Sequence, residues 1–432
     1  MDLESRAQAL ISRLSMPRKD FGFMSVAIYD TAWLSMISKP SASGPFWLYP
    51  QCFEFIMNKQ SPDGGWESYA SPIDGVLNTA ASLLALKMHE ERPLQIPTPS
   101  SDQVARSIAL GSTSLQTQLQ RWDVSATVHV GFEYLVPNLL TLLADKGINF
   151  DFPGRASLME LRDTKMAKFD PRYLYSEHKL TALHSLEAFF GKIDFNKVQH
   201  HKHAGSFMAS PSSTAAYLMS IDQWDDEAEA YLDSVLKSGA GQGSGGAPSA
   251  FPSTYFEATW ALTTLLKNGF DYFDLGTDNI EYMGDLLHSG LDRQGGCLGF
   301  APSIQPDVDD TSKALVSLAL MEKPRSAQAL LDRFENASHF KTYAGERNPS
   351  FSANCNALVA LLSEPDVAAF ESSMEKATRF LCDTWWETDG WIEDKWVRTS
   401  YTLRCTSFAN MYHRIFRSTT RPCLWRRPFP SS

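Results

Sequence analysis

Three aspartates lie within four consecutive positions of the segment QPDVDDTSKAL, namely Asp307, Asp309 and Asp310. The segment follows Pro306 and precedes a strong helical pattern, which predicts that the carboxyls lie at the start of a helix. If they are buried, they cannot all ionise cheaply, so one carboxyl has a raised pKa and stays protonated at neutral pH. A neutral carboxyl beside charged neighbours is a candidate general acid. The alternative is an ordinary N-cap on a solvated turn.

The apolar pattern that must position these carboxyls is helical along the chain. Runs of apolar residues with helical spacing begin at Leu77, Val136, Lys179, Thr311 and Cys355. No comparable run alternates with the period of two that strands require. The sequence therefore predicts an all-α fold in which antiparallel helices surround apolar centres.

Composition limits the partners and the compartment. The chain has 432 residues, 43% of them hydrophobic, with 39 Lys and Arg against 50 Asp and Glu. The net charge of -11 disfavours nucleic acid, whose binding depends on a basic surface. No stretch approaches the ~18 to 20 unbroken apolar residues of a membrane helix, and Asp2 and Glu4 do not suit a targeting peptide. Six dispersed cysteines without a CxxC pair favour a reducing, cytoplasmic location.

Six segments resemble the class II diterpene cyclases in their order and rough spacing. They are SVAIYDTAWLSMI, KQSPDGGWES, LHSLEAF, GSFMASPSSTAAYL, GGAPSAFP and PDVDDT. YDTAW together with DxDDT is much more specific than either motif alone. From about Ser25 to about Trp396 the chain is similar to the copalyl diphosphate synthase part of fungal bifunctional diterpene synthases.

The resemblance implies an all-α fold of two αα-barrel domains, called γ and β, with a prenyl diphosphate bound between them. The implied division is an N-terminal helical segment over 1–44 that joins the β domain, a γ domain over 45–270, and a partial β domain with DVDDT over 271–402. Residues 403–432 contain six arginines and no Asp, Glu or Lys. We expect them to form an atypical basic tail that leaves the β barrel incomplete at the C-terminus.

The resemblance also assigns the proton chemistry. Asp309, the middle aspartate, would protonate the terminal alkene of an open-chain prenyl diphosphate, while Asp307 and Asp310 would hold and polarise it. His184 matches the histidine that, in plant relatives, holds the water that removes the last proton. Ser249 stands where those relatives have the asparagine that shares this task, and a serine can also orient water. The alternative for His184 is a core histidine on the apolar face of its helix.

Further residues would bind the substrate. Lys87 matches a lysine of the family and would contact the diphosphate, and Tyr255 and Trp260 lie beside the GGAPSAFP segment that faces the cavity in relatives. Aromatic faces suit a dry cavity in which carbocations form. The resemblance implies Mg²⁺ as the cofactor that bridges the diphosphate oxygens. The candidate metal ligands are Asp307 and Asp309.

The predicted function is the protonation-initiated cyclisation of geranylgeranyl diphosphate to a copalyl-type diphosphate, an isomerase or intramolecular lyase reaction. One alternative is a drimenyl-type cyclase of farnesyl diphosphate, and another is a truncated, inactive remnant of a bifunctional synthase. A separate class I terpene synthase would act downstream as a partner.

Two other polar clusters are interpreted as solvated. His200, His201 and His203 have no neighbouring residues that complete a metal site, which predicts an exposed loop. The acidic segment WDDEAEAY, beginning at Trp224, is interpreted as a solvated helix face.

Overall fold

The computed structural model describes residues 2–15, 22, 24–66, 71–95, 99–127, 129–302, 304–344, 346 and 349–387. Over these residues the chain is predominantly helical. The earlier α-helices are α1 (Leu3–Leu14), α2 (Ile28–Ser35), α3 (Pro50–Lys59), α4 (Pro72–Glu91), α5 (Ser101–Arg121), α6 (Phe132–Asp145), α7 (Arg155–Met166), α8 (Pro211–Leu218) and α9 (Asp226–Ser238). The later ones are α10 (Thr254–Lys267), α11 (Tyr272–Leu275), α12 (Thr277–Arg293), α13 (Val308–Leu320), α14 (Gln328–Phe334), α15 (Phe351–Leu362) and α16 (Glu371–Glu387).

Short 3₁₀ helices and strands join the α-helices. The 3₁₀ helices span Pro171–Tyr175, Thr181–Phe189, Phe195–His201 and Val367–Phe370. Strand β1 (Val26–Ala27) pairs antiparallel with β4 (Ala247–Pro248), and β2 (Ser38–Lys39) pairs antiparallel with β3 (Phe46–Trp47). These two ladders, each of two-residue strands, are regular β-structure that the sequence did not predict.

The first half of the fold is built around α4. A capping box formed by Ser71 and Asp74 starts this helix, and every residue from Gly75 to Leu86 is buried. Helices α2, α5 and α6 pack against it. A single apolar core runs from Ile28 to Phe251, so the chain through β4 closes around this central helix.

The second half has two apolar clusters that meet on α13. Ala314 and Leu318 of α13 pack with α1, α10, α11 and α12, and Leu315 and Val316 pack with α14, α15 and α16. Because α13 is buried on two sides, its first turn is held rigidly inside this half. That turn carries the aspartate triplet.

A small apolar cluster joins the two halves. Ala209 of the first half packs with Ala301 and Ile304, and Met208 and Phe300 lie against them. The Phe300 carbonyl also accepts the backbone N–H groups of Tyr255 and Phe256 at the start of α10. This loop, which leads directly into α13, is thereby fixed to both halves.

Most of the predicted helices are confirmed. The apolar runs from Leu77, Val136, Thr311 and Cys355 lie in α4, α6, α13 and α15. The run from Lys179 instead forms the 3₁₀ helix Thr181–Phe189, whose backbone is non-helical at Ser185. Among the described residues no helix is both long enough and apolar enough to cross a bilayer. The basic tail, 403–432, and the barrel closure that depends on it lie outside the described residues.

Two of the polar clusters differ from their predictions. His201 is buried and its Nε2 bonds the Leu174 carbonyl at 2.9 Å. Asp225 is also buried, where it caps α9, accepts a hydrogen bond from Tyr217 and forms an ion pair with Lys202. The interpretation of these two residues as solvated is therefore wrong, because tertiary partners satisfy their polar atoms.

Candidate active site

Asp307 fixes the start of α13. Its Oδ1 accepts the backbone N–H of Asp310 at 2.8 Å, and its own N–H donates to the Leu298 carbonyl at 3.0 Å. The Thr311 hydroxyl donates to the Asp307 carbonyl at 2.6 Å and accepts the N–H of Leu298 at 2.9 Å. Asp307 is thus an N-cap, but it is only 4% exposed, so it does not lie on a solvated turn.

Two carboxyls of the triplet are buried together. Burial raises the pKa of Asp307 well above its ordinary value, and the charges of Asp310 and Asp309 raise it further. Asp310, 5% exposed, has its pKa raised by burial to about 7, and one of its carboxyl oxygens has no hydrogen-bond partner among the described residues. Burial thus favours the neutral form of Asp307, and Asp310 is close to its midpoint at neutral pH.

Asp309 is the more accessible carboxyl. It is partly exposed, and its Oδ1 accepts a hydrogen bond of 2.7 Å from the Nδ2 amide of Asn356 on α15. An amide nitrogen only donates, so Oδ1 serves as acceptor and a proton on this carboxyl resides on Oδ2. Asn356 was missed in the sequence, where it is one polar residue within an apolar helical run.

A further segment covers the triplet. The Thr342 carbonyl accepts the N–H of Val308 at 2.9 Å, which attaches residues 340–344 to the first turn of α13. Burial raises the pKa of Tyr343 well above its ordinary value, and the charges of the three aspartates add to this shift. Tyr343 therefore lies beside the triplet with its hydroxyl protonated, a neighbour that no sequence motif indicated.

The two predicted aromatic residues lie in different environments. Trp260, 37% exposed, has the Nζ of Lys313 over its ring at 4.3 Å from the centroid. Tyr255 is fully buried in the cluster shared by α1, α10 and α12, and its hydroxyl accepts a hydrogen bond from Arg293 at 3.1 Å. Trp260 is thus at an open surface near the triplet, whereas Tyr255 is part of the apolar core. Their role as cavity lining stays a prediction.

His184 lies where the two halves meet. Its Nδ1 donates to the Met208 carbonyl at 2.9 Å, and its ring contacts that of Phe300 edge to face at 6.3 Å between centroids. Burial lowers its pKa, so the ring is neutral at pH 7. With Nδ1 protonated by this hydrogen bond, Nε2 carries the lone pair. This nitrogen can accept a proton or hold a water molecule.

The other two predicted residues, Ser249 and Lys87, lie in the first half of the fold. Ser249 is exposed and directly follows β4. Lys87 is near the end of α4, partly exposed, and paired with Glu90 at 2.5 Å. Both side chains are accessible to a ligand.

Asp307 and Asp309 do not fit a magnesium site. Mg²⁺ binds ionised carboxylates, whereas the buried Asp307 carboxyl has a raised pKa and already accepts a helix N–H group. Over the described part of the chain, no group of three or more His, Cys, Asp or Glu side chains could hold a metal ion. The Asp307 carboxyl is therefore a poor ligand for Mg²⁺.

The fold resembles those of known cyclases. An ent-copalyl diphosphate synthase from Arabidopsis thaliana matches with a TM-score of 0.73 and 23% identity, over 91% of this chain and 54% of that one. The ent-copalyl diphosphate synthase from Streptomyces platensis matches with a TM-score of 0.72 and 24% identity, over 91% of this chain and 76% of that one. The architecture is thus the αα-barrel fold of the class II terpene cyclases.

Sequence relatives identify the family, although no family model matches the chain. Pimaradiene synthase pbcA of Emericella nidulans is 51% identical over 416 residues, which are 93% of this chain and 42% of that protein. Copalyl diphosphate synthase of Talaromyces verruculosus is 48% identical over 97% of this chain and 43% of that protein. The bifunctional ent-kaurene synthase of Gibberella fujikuroi is 40% identical over 91% of this chain and 42% of that protein. The chain belongs to the diterpene synthases, and it spans about two fifths of the length of these relatives.

Proposed function

We propose that this chain catalyses the protonation-initiated cyclisation of geranylgeranyl diphosphate to a copalyl-type diphosphate. The observation that carries the proposal is the Asp309 carboxyl, which is accessible, oriented by Asn356, and placed beside two buried carboxyls. The names of the Talaromyces, Arabidopsis and Streptomyces proteins, all copalyl diphosphate synthases, support the same reaction.

The reaction begins with transfer of the Oδ2 proton of Asp309 to the terminal alkene of the substrate. The π electrons of that alkene form the new C–H bond, and the resulting tertiary cation is attacked by the next alkene. Two C–C bonds form in succession and leave a cation on the bicycle. Loss of one proton from an adjacent carbon gives the product, which is an isomer of the substrate with its diphosphate unchanged.

His184 accounts for the last step. Its neutral ring presents the Nε2 lone pair and can take the proton directly or through a water molecule. We propose that Ser249 helps to orient this water. The proton that the base receives must return to Asp309 through solvent before the next turnover.

Asp307 and Asp310 support the donor. Asp307 holds the start of α13, and burial raises its pKa well above its ordinary value, which disfavours a negative charge beside the donor. Burial raises the pKa of Asp310 to about 7, so this carboxyl carries only part of a negative charge beside Asp309 at neutral pH.

The remaining assignments are also proposals. Lys87 would contact the diphosphate, Mg²⁺ would accompany that group as its counter-ion, and Tyr255 and Trp260 would lie around the hydrocarbon. The division into an N-terminal segment over 1–44, a γ domain over 45–270 and a β domain over 271–402 is proposed as well. Since the Gibberella relative is a bifunctional ent-kaurene synthase, we propose that the product passes to a class I terpene synthase.

The test is incubation of the purified chain with geranylgeranyl diphosphate and Mg²⁺, followed by phosphatase treatment and analysis of the released alcohol. Bicyclic copalol is the expected product. Drimenol formed from farnesyl diphosphate alone would replace the proposal by the shorter-chain alternative. Recovery of both substrates intact, with measurable binding, would identify an inactive remnant.

A further inference from the structure

The first turns of α13 expose one face. Between Val308 and Leu318 every residue is buried except Asp309 and Lys313. These two are four residues apart, a spacing that places side chains on the same side of a helix, one turn from each other. The accessible carboxyl and the Lys313 ammonium group therefore open onto the same space.

Two neighbouring helices border this face. Asn356 of α15 bonds the carboxyl of Asp309, and the Trp260 ring of α10 lies under the Nζ of Lys313 at 4.3 Å. A lysine over an aromatic face is attracted by the electrons of the ring and is thereby restrained in position. The ring face of Trp260 is thus occupied by the ammonium group and holds it one turn from the acid.

The other charged and titratable groups at this face are mostly acidic. α13 contributes the triplet, and the covering segment contributes Tyr343 and Glu346. The charge of Glu346 adds to the raised pKa of Tyr343. On α10, Glu257 accepts a hydrogen bond from Ser253. Lys313 adds a positive charge to this cluster of acidic side chains. Its charge lowers the pKa of Asp310, whereas burial raises it.

We propose that Lys313, held by the Trp260 ring, is a positioning residue whose charge sets the acid strength of the aspartate triplet. This inference rests on the proposed function for its kinetic test. It gives Trp260 a task beyond lining the cavity, because the ring places the cation that tunes the proton donor.

The sign of the effect follows from electrostatics. Removal of a positive charge disfavours the carboxylate form, so the carboxyls of the triplet stay protonated to higher pH and become weaker acids. In Lys313→Met the alkaline limb, where the rate falls with pH, should move to higher pH by about one pH unit. This is the lower end of the pKa shift that a nearby opposite charge causes in a carboxyl. The plateau rate should fall, because a weaker acid protonates an alkene more slowly.

The experiment compares the parent chain and five variants with geranylgeranyl diphosphate from pH 5 to 9. Lys313→Arg and Trp260→Phe keep the charge and the aromatic face, so their alkaline limb should stay near that of the parent. Trp260→Leu releases the lysine and should move the limb in the same direction as Lys313→Met. Lys323→Met is the matched control, since Lys323 pairs with Glu281 of α12 instead of the triplet. An unmoved limb in Lys313→Met would overturn the proposal.

A second readout does not depend on turnover. A carboxyl whose pKa is higher in the folded chain than in the unfolded chain makes the fold less stable as pH rises towards that folded pKa. Because Lys313→Met raises these pKa values further, its melting temperature should fall more steeply between pH 5 and 8 than that of the parent or of Lys323→Met. If the parent chain does not convert the substrate, the proposed function fails while this titration still decides the role of Lys313. Equal slopes in all three proteins would show that the lysine does not act on the carboxyls.

Discussion

The side-chain amide of Asn356 donates a hydrogen bond of 2.7 Å to Oδ1 of Asp309, across the gap between α15 and α13. The donor nitrogen occupies one carboxyl oxygen, so the acidic proton is restricted to the other. Asp307 and Asp310 have no equivalent position, because both are buried, and Oδ1 of Asp307 accepts the backbone N–H of Asp310 in the first turn of their helix. Among the three carboxyls, Asp309 is therefore the one that can present a proton to a bound molecule.

Replacement of Asn356 by alanine should lower kcat about tenfold while KM changes little, because one hydrogen bond of ~1 to 1.5 kcal/mol no longer orients the donor. Steady-state kinetics with geranylgeranyl diphosphate give both constants. Ser363→Ala is the control, since it also removes a side-chain hydrogen bond on α15, to the Val359 carbonyl, away from the triplet. Equal losses in the two variants would indicate that Asn356 serves only the stability of the helix.

Asp309→Asn should abolish cyclisation and leave substrate affinity within a few fold of the parent. The amide keeps the shape of the side chain but has no acidic proton to give. Product analysis measures the first effect and equilibrium binding measures the second. Asp332→Asn, an exposed change on α14, should keep full turnover. Retention of near-parental turnover in Asp309→Asn would remove this residue from the role of acid.

His184→Ala should change where the cascade ends before it changes whether it starts. The deletion opens space between Met208 and Phe300, so water can capture the final cation and give a hydroxylated bicycle. Mass analysis of the dephosphorylated products distinguishes this alcohol from copalol. His288→Ala on α12 is the control and should leave the product unchanged. The same product from both variants would mean that the proton leaves by a route without His184.

The triplet could be found from the sequence because its signals are local. The aspartates, Pro306 and the apolar period of α13 all lie within one stretch of chain, so both the helix start and the clustering of carboxyls were predictable. Asn356 and Tyr343 could not be found, since they reach the triplet only through packing of elements 30 to 50 positions further along. Packing of elements that are distant in the sequence also buries His201 and Asp225, although their segments were predicted to be solvated.

A second pair of buried carboxyls lies in the first half of the fold. Asp30, in the YDTAW motif, accepts the N–H of Ser212 at 3.2 Å, and Glu187 accepts hydrogen bonds from the hydroxyls of Ser213 and Tyr29. Burial raises the pKa of Asp30 to about 7. Burial also raises that of Glu187, to about 8, and the charge of Asp30 adds to this shift. Both groups are protonated in the folded chain at mildly acidic pH.

This pair should make the chain less stable as pH rises. In the unfolded chain the two carboxyls ionise near pH 4, whereas in the folded chain they ionise near pH 7 and 8. Between these values the folded state holds more protons, so the free energy of unfolding falls with pH by up to ~1.4 kcal/mol per unit for each group. The raised pKa values of Asp307 and Asp310 also make the free energy of unfolding fall with pH. A variant is therefore needed to separate the contribution of Asp30 and Glu187.

Asp30→Asn provides that variant, because its amide oxygen can still accept the Ser212 N–H group but cannot ionise. The expected result is a flatter fall in the free energy of unfolding between pH 5 and 8, with a variant more stable than the parent at pH 8. Urea denaturation at fixed pH values measures this, and Asp151→Asn, an exposed change, should reproduce the slope of the parent. If Asp30→Asn keeps the parental slope, the Asp30 carboxyl ionises at similar pH in the folded and unfolded chain, and its burial does not control the pH dependence.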